Sequence, residues 1–272
     1  MISLKRNSKF ELAPAKGLRS RNIYEPGSTK DFKISRGKFS DFLTCERCFY
    51  LDRVKGVVSP SLPGWSLNAA TDELLKKEFD ICRAYKTPHR LFNDYDLNHI
   101  IPFDHPDMDQ WRDSLRAGLM SRHRDTNIIL TGGVDDIWIN TNTDELVVVD
   151  YKSQSNRKPV EPWSYLSSVY HEGYKKQLDF YAYLLKEMGF EVAKTGYFYV
   201  CNGNKDADGF FGNMEFSETL IPYDTKTDWI KSEVDRMFDL LNQHNLPDIN
   251  PSCENCAYAS RRAEIEKSTR II

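Results

Sequence analysis

The chain has 272 residues, 40% of them hydrophobic and 28% charged, which suits a soluble globular protein with one sizeable core. A net charge of −3 argues against holding nucleic acid through overall positive charge, although a local basic groove stays open. The polar start MISLKRNSKF is unlike a signal peptide, and no apolar run reaches membrane-spanning length. An intracellular protein away from membranes is expected, its six cysteines mostly reduced unless they hold a metal.

Residues 1–30 carry seven basic side chains against Glu11 and Glu25, with Pro14, Gly17, Pro26 and Gly27 between them. They read as a basic, extended arm, solvated or touching a phosphate backbone, and residues 31–272 read as a single domain. Residues 40–54 have apolar residues at helical spacing, with Ser40 or Asp41 as N-cap. Residues 56–64, with Pro60 and Pro63, form a loop. Residues 67–85 form a second amphipathic helix, capped by Asn68 or a neighbour; its first turn holds Asp72 and Glu73, where the helix dipole favours negative charge. Residues 88–105 read as a loop-like insertion and 107–123 as a further helix. His89, His99, His105 and His123 have no metal-ligand spacing and read as surface or core residues.

The stretch TGGVDDIWINTNTDELVVVDYKS, from residue 131, holds the chemistry. Residues 134–139 and 145–151 have strand composition, and the Asn-, Thr- and Asp-rich 140–144 is a hairpin turn. Buried strands normally present apolar residues, yet these carry Asp135, Asp150 and Lys152. Residues two apart on a strand share a face, so Asp150 and Lys152 project together, with Tyr151 opposite. Two carboxylates beside a lysine suit Mg²⁺ or Mn²⁺, which activates a bound water that the lysine orients. Taken alone, Asp-x-Lys reads first as an ion pair at a strand end; the preceding G-x-V-D, the hairpin and the apolar run before Asp150 shift the balance.

Residues 154–162 are polar and include Arg157 and Lys158. Residues 174–188 form a helix ended by Gly189; Gln177 and Tyr181, four apart, lie on one of its faces. Strands follow at 195–201 and 214–222, then a helix at 228–242. The turn NGNKDADG lacks the EF-hand spacing, and no internal repeat is visible. Cys45 and Cys48 form one C-x-x-C pair and Cys253 and Cys256 another, a thiolate set suited to Zn²⁺ or an iron–sulfur cluster. Cys82 and Cys201 read as structural.

Gly132-Gly133-Val134-Asp135 followed by Val148-Val149-Asp150-Tyr151-Lys152-Ser153 resembles the core of the PD-(D/E)XK nuclease superfamily. The likeness is to its RecB-like branch, which includes the CRISPR adaptation nucleases and the AddB-type iron–sulfur nucleases. Gln177 and Tyr181 resemble that branch's Q-x-x-x-Y motif, and Cys45-Glu46-Arg47-Cys48-Phe49-Tyr50-Leu51 its C-P-R-x-F-Y-L element, with Glu46 at the proline position. The resemblance implies an α/β fold: a restriction-endonuclease-like mixed central sheet flanked by helices, with an α-helical N-terminal part. It implies metal ligation by Asp135, Asp150 and the Tyr151 carbonyl, catalysis by Lys152, and a helix bearing Gln177 and Tyr181 beside the active site. Many relatives carry a metal-binding histidine on the helix corresponding to 67–85. This stretch has none, and Asp72 is the candidate in its place, against the alternative of a first-turn acid.

Arg157 and Lys158 fall on the side where the branch passes DNA. Its iron–sulfur members use one early and three late cysteines, the last standing where this chain has Arg262; Cys48 is the local substitute, and a 4Fe–4S cluster or Zn²⁺ would staple the C-terminus. The function implied is an Mg²⁺- or Mn²⁺-dependent DNA exonuclease on single-stranded ends or flaps, in recombination, repair or phage DNA processing. No G-x-x-x-x-G-K-[ST] motif is present, so a helicase or recombination partner would be another chain. The alternative is a non-catalytic nucleic-acid-binding or assembly module that keeps the fold.

Overall fold

The computed structural model describes residues 4–60, 64 and 66–269. Residues 1–3 of the expected arm and 61–63 of the expected 56–64 loop, Pro63 included, lie outside them. In chain order the elements are β1 (Phe32–Ser35), α1 (Arg36–Thr44), α2 (Glu46–Arg53), α3 (Ser66–Tyr85), β2 (Ile100–Pro102), α4 (Met108–Arg112), β3 (Leu119–Arg122) and β4 (Ile128–Gly132). There follow β5 (Asp136–Asn140), β6 (Leu146–Gln154), α5 (Pro162–Ser167), α6 (Glu172–Glu187), β7 (Thr195–Gly203), β8 (Phe216–Asp224), α7 (Asp228–Asn242) and α8 (Glu254–Thr269). No helix among the described residues is long and apolar enough to cross a membrane.

The chain divides into two compact units. One comprises Met1–Gly64, Arg122–Ile129 and Lys231–Ile272; the other comprises Trp65–Ser121 and Leu130–Ile230. The second holds a five-stranded sheet in the order β2-β5-β6-β7-β8. Its β6–β7 pair is parallel and the other three pairs are antiparallel, so the sheet is mixed. α3 and α6 both pack on β6, giving the helix-flanked mixed sheet that the resemblance implies.

Period-2 alternation sorts the residues of β6. Val147, Val149 and Tyr151 join Leu75 and Phe79 of α3 in one core with Trp138 and Tyr199. The Phe79 and Tyr151 ring centroids stand 5.7 Å apart. Asp150 and Lys152 take the other face, where the Lys152 ammonium lies 4.7 Å from the Tyr174 ring centroid of α6. Both faces are covered, which is why the strand runs buried from Leu146 to Tyr151.

Four local expectations are corrected. The helix expected over 40–54 is two helices: Ser35, not Ser40 or Asp41, caps α1, its Oγ accepting from the Lys38 N–H, and the extended backbone of Cys45 separates α1 from α2. Asn68 lies within α3 rather than capping it, since α3 already runs from Ser66. The 88–105 insertion contains a 3-10 turn, Arg90–Tyr95, and the edge strand β2, whose Ile101 pairs with Ile139. The helix expected over 107–123 stops after one turn: Asp113 Oδ1 accepts from the Leu115 and Arg116 N–H groups at 3.1 Å, and Gly118 has φ +84°, so the chain turns and continues as β3. The other expected elements form within a few residues of their places, β1, β4, α5 and α8 stand where no element was expected, and Gly189 closes α6 with φ +93°.

Candidate active site

The β5–β6 hairpin builds the site. Its turn closes through the Asn140 N–H on the Glu145 carbonyl at 2.9 Å, with Asp144 in the left-handed region at φ +58°. The pairing sets Asp136 opposite Val149, so Asp135, just before β5, meets β6 at Asp150 and Tyr151. Asp135 Oδ2 accepts the Tyr151 N–H at 2.8 Å. Asp150 is fully buried and forms an ion pair with Lys152. Among the described residues, neither Asp150 oxygen has a hydrogen-bond partner, so a buried carboxylate is held by one ammonium alone. Lys152 Nζ also lies 3.5 Å from the Tyr151 carbonyl oxygen.

Burial and the Asp150 charge push the Asp135 carboxyl up to about 7, against the opposing pull of Lys152. Asp72, on α3, is also raised, first by burial and then by the Asp135 charge, while Lys76 one turn on holds its Oδ2 at 2.8 Å. The acids therefore repel one another in a poorly solvated space. A hard divalent cation fits that donor set of carboxylate oxygens and a backbone carbonyl, because it would meet the Asp150 oxygens that lack hydrogen bonds and discharge the repulsion.

Gln177 and Tyr181 share one buried face of α6, with Gln177 Nε2 3.1 Å from Tyr181 Oη. A Cβ at Gly132 would stand 2.8 Å from Tyr181 Cε1, and one at Gly133 would stand 2.5 Å from Ser114 Cβ. The two glycines thus let a tyrosine ring and a loop pack directly on the backbone that leads to Asp135. His89 and His123 are both buried, His89 beside Glu78 and His123 beside Asp235. All six described thiols are free, and Cys82 is half-buried and Cys201 buried.

Beyond Lys152, a cleft of about 510 Å³ opens among residues 154–171 and Lys205. Arg157, Lys158, Lys205 and His171 line it together with Tyr165 and Tyr170. Tyr170 is almost wholly exposed, as is Trp163 on α5. Burial, and then the Asp150 and Tyr174 charges, hold the Tyr165 hydroxyl well above the ordinary tyrosine range.

Sequence reasoning missed Asp136. Its side chain takes the face opposite Asp135 and is fully buried. It forms ion pairs with Arg83 and Arg112, and its Oδ2 accepts from the Tyr151 hydroxyl at 2.9 Å. Asp80 joins both arginines. Tyr151 is therefore clamped at both ends, its N–H by Asp135 and its hydroxyl by Asp136. The adjacent Asp-Asp pair on a strand was the available signal, since neighbours there must face opposite ways. Tyr174, three residues before Gln177, was likewise readable from helical spacing.

The other unit brings Cys45, Cys48, Cys253 and Cys256 together. Sγ–Sγ distances are 3.7 Å for Cys45–Cys256, 3.6 Å for Cys48–Cys253 and 3.4 Å for Cys48–Cys256. The Cys256 N–H directed at its sulfur pulls the Cys253 thiol down to about 7, whereas burial pushes Cys48 and Cys256 up.

Residues 67–261 match the family model of the PD-(D/E)XK nuclease superfamily. No curated protein matches the chain. Among solved structures, the chain is similar to the crystal structure of SSO0001, at 15% identity over 84% of each chain with a TM-score of 0.35. It is also similar to the crystal structure of "Putative exonuclease" from Eubacterium rectale, at 11% identity over 83% of this chain and 87% of that one, with a TM-score of 0.42. The match over residues 67–261 covers more than half of the chain.

Proposed function

The chain belongs to the PD-(D/E)XK nuclease superfamily, and from that premise we propose that it is an Mg²⁺- or Mn²⁺-dependent deoxyribonuclease acting on single-stranded ends or flaps. The buried Asp150 carboxylate, ion-paired with Lys152 but with neither oxygen hydrogen-bonded among the described residues, carries this reading. A group so costly to bury is retained where something outside the protein completes it.

Asp135, Asp150 and the Tyr151 carbonyl would hold the cation, with Asp72 at its margin. When bound, it supplies a lower pKa for a water and charge neutralisation at a phosphodiester oxygen. Lys152 projects from the same strand face as Asp150, and its ammonium would donate a hydrogen bond to the attacking water and orient its lone pair. The Tyr174 ring faces the ammonium and excludes bulk water from that side. Tyr151 fixes the register of the ligands, because Asp135 and Asp136 hold its two ends. Gln177 and Tyr181 support the Gly132 backbone that leads to Asp135.

The adjoining cleft supports an unpaired strand. Arg157, Lys158 and Lys205 would meet phosphates, and Tyr170 with Trp163 offers exposed rings on which bases stack. A duplex keeps its bases stacked on each other and gains nothing from such rings. The setting would be recombination, repair or phage DNA processing, with any motor on a separate chain. The test is cleavage of end-labelled single- and double-stranded DNA with Mg²⁺ or Mn²⁺. Wild type is expected to cut the single strand preferentially, while Asp150→Ala still binds it but leaves it intact. Well-folded wild type that cuts neither DNA nor RNA would overturn the nuclease in favour of a nucleic-acid-binding module.

A further inference from the structure

The family resemblance implies an iron–sulfur cluster at the cysteines, and the geometry disagrees. We infer that Cys45, Cys48, Cys253 and Cys256 hold a single tetrahedral zinc ion, which fastens helix α8.

The spacing of the sulfurs comes first. All four lie within 4.8 Å of one another, and three of the pairs stand at 3.4–3.7 Å. Four thiolates about 2.3 Å from one tetrahedral ion lie about 3.8 Å apart. A cubane places four irons and four sulfides inside the thiolate shell, so its cysteines must stand much farther apart than around one ion. This shell has room for a single ion.

The construction of the site agrees. Each C-x-x-C pair opens a helix in the same way: Cys45 immediately precedes α2, with Cys48 in its first turn, and Cys253 immediately precedes α8, with Cys256 in its first turn. The first carbonyl of each pair accepts the first helical bond, from Phe49 and from Ala257, both at 3.0 Å. Two helix N-termini thus converge on the thiolates and offset their charge. The result is a closed two-plus-two ligand set, the arrangement of a structural zinc site. Arg262, where the iron–sulfur relatives carry their last cysteine, is largely exposed and pairs with Glu266. The fourth ligand has moved to Cys48, 205 residues from Cys253 in the chain.

The packing of α8 shows what the ion would do. Only Cys256 is buried along the 16 residues of this helix. Tyr258 and Ile265 are both exposed. The approach to α8 is tied down, through Arg47 on the Pro247 carbonyl and Asn250 on the Thr44 carbonyl. The helix itself has no apolar face to dock, so the thiolates are its anchor.

The experiment uses the full chain, purified without oxygen from cells supplied with both metals, then challenged with ferrous iron and sulfide under reducing conditions. The expected result is one zinc per chain, no bound sulfide, no visible absorption, and loss of the zinc in Cys48→Ser. Stripping the ion with a strong chelator is expected to raise hydrogen exchange across 254–269 at least tenfold and to leave α6 unchanged. Four irons with four sulfides per chain, or no bound metal, would overturn the assignment; unchanged exchange in α8 would overturn the anchoring role. None of these readouts involves cleavage, so the outcome is separable from that of the proposed nuclease.

Discussion

Asp135 and Asp136 are neighbours in the chain and opposites in circumstance. Asp136 is enclosed by two guanidinium groups and a tyrosine hydroxyl, so a buried charge is fully answered by the protein itself. On the other face, the Asp150 charge raises Asp135, Asp150 is paired with Lys152 alone, and the Asp150 oxygens lack hydrogen-bond partners among the described residues. The same residue type is thus structural on one face of the sheet and chemically available on the other. Satisfied charge holds geometry; unsatisfied charge marks where an external cation belongs.

Substitutions can sharpen or break that contrast. The largest effect is expected at Asp150→Ala, with cleavage reduced by about 10³-fold or more and an unchanged circular dichroism spectrum, because a group acting as ligand is lost while the core is not. Residual cleavage within tenfold of wild type would remove Asp150 from the site. Next comes Asp136→Ala, which leaves Arg83 and Arg112 with Asp80 as their remaining acid. Denaturant unfolding should show a loss of about 3–5 kcal/mol. A loss below about 1 kcal/mol would mean that the network is less enclosed than it looks.

The smallest effect concerns pH. The Asp135 carboxyl is raised to about 7 from an ordinary value near 4, so between those values the folded chain binds a proton that the unfolded chain has released. Without divalent metal, stability should therefore fall as pH rises from about 4 to 7, the cost being fully present above it. Asp135→Asn should remove this slope, melting a few degrees higher than wild type at pH 8 and no higher at pH 4. Equal melting temperatures at pH 8 would show that Asp135 is not under charge repulsion.

Much of the candidate active site was legible because its geometry is local. Period 2 puts Asp150 beside Lys152, a five-residue turn returns Asp135 to the same strand end, and a four-residue step aligns Gln177 with Tyr181. The turn at Asp113 was less legible: a single side-chain oxygen capping two N–H groups outweighed an apolar pattern that suited a longer helix. The strand β2 was hidden for another reason, since Ile100–Pro102 is too short to declare itself and exists by pairing with β5.

The amino-acid sequence by itself determined which candidate donor groups this protein carries: carboxylates and a lysine on one hairpin, and thiols in two short pairs. These follow from side-chain identity and from backbone periods acting over a few residues. Only the tertiary structure decided which charges are answered. It brought Arg83 and Arg112 to Asp136 from 53 and 24 residues away, left Asp150 without hydrogen-bond partners, and closed four sulfurs to single-ion spacing across 211 residues. Such meetings depend on how helices and strands pack after they form, and no local period encodes the distance between two side chains that far apart in the chain.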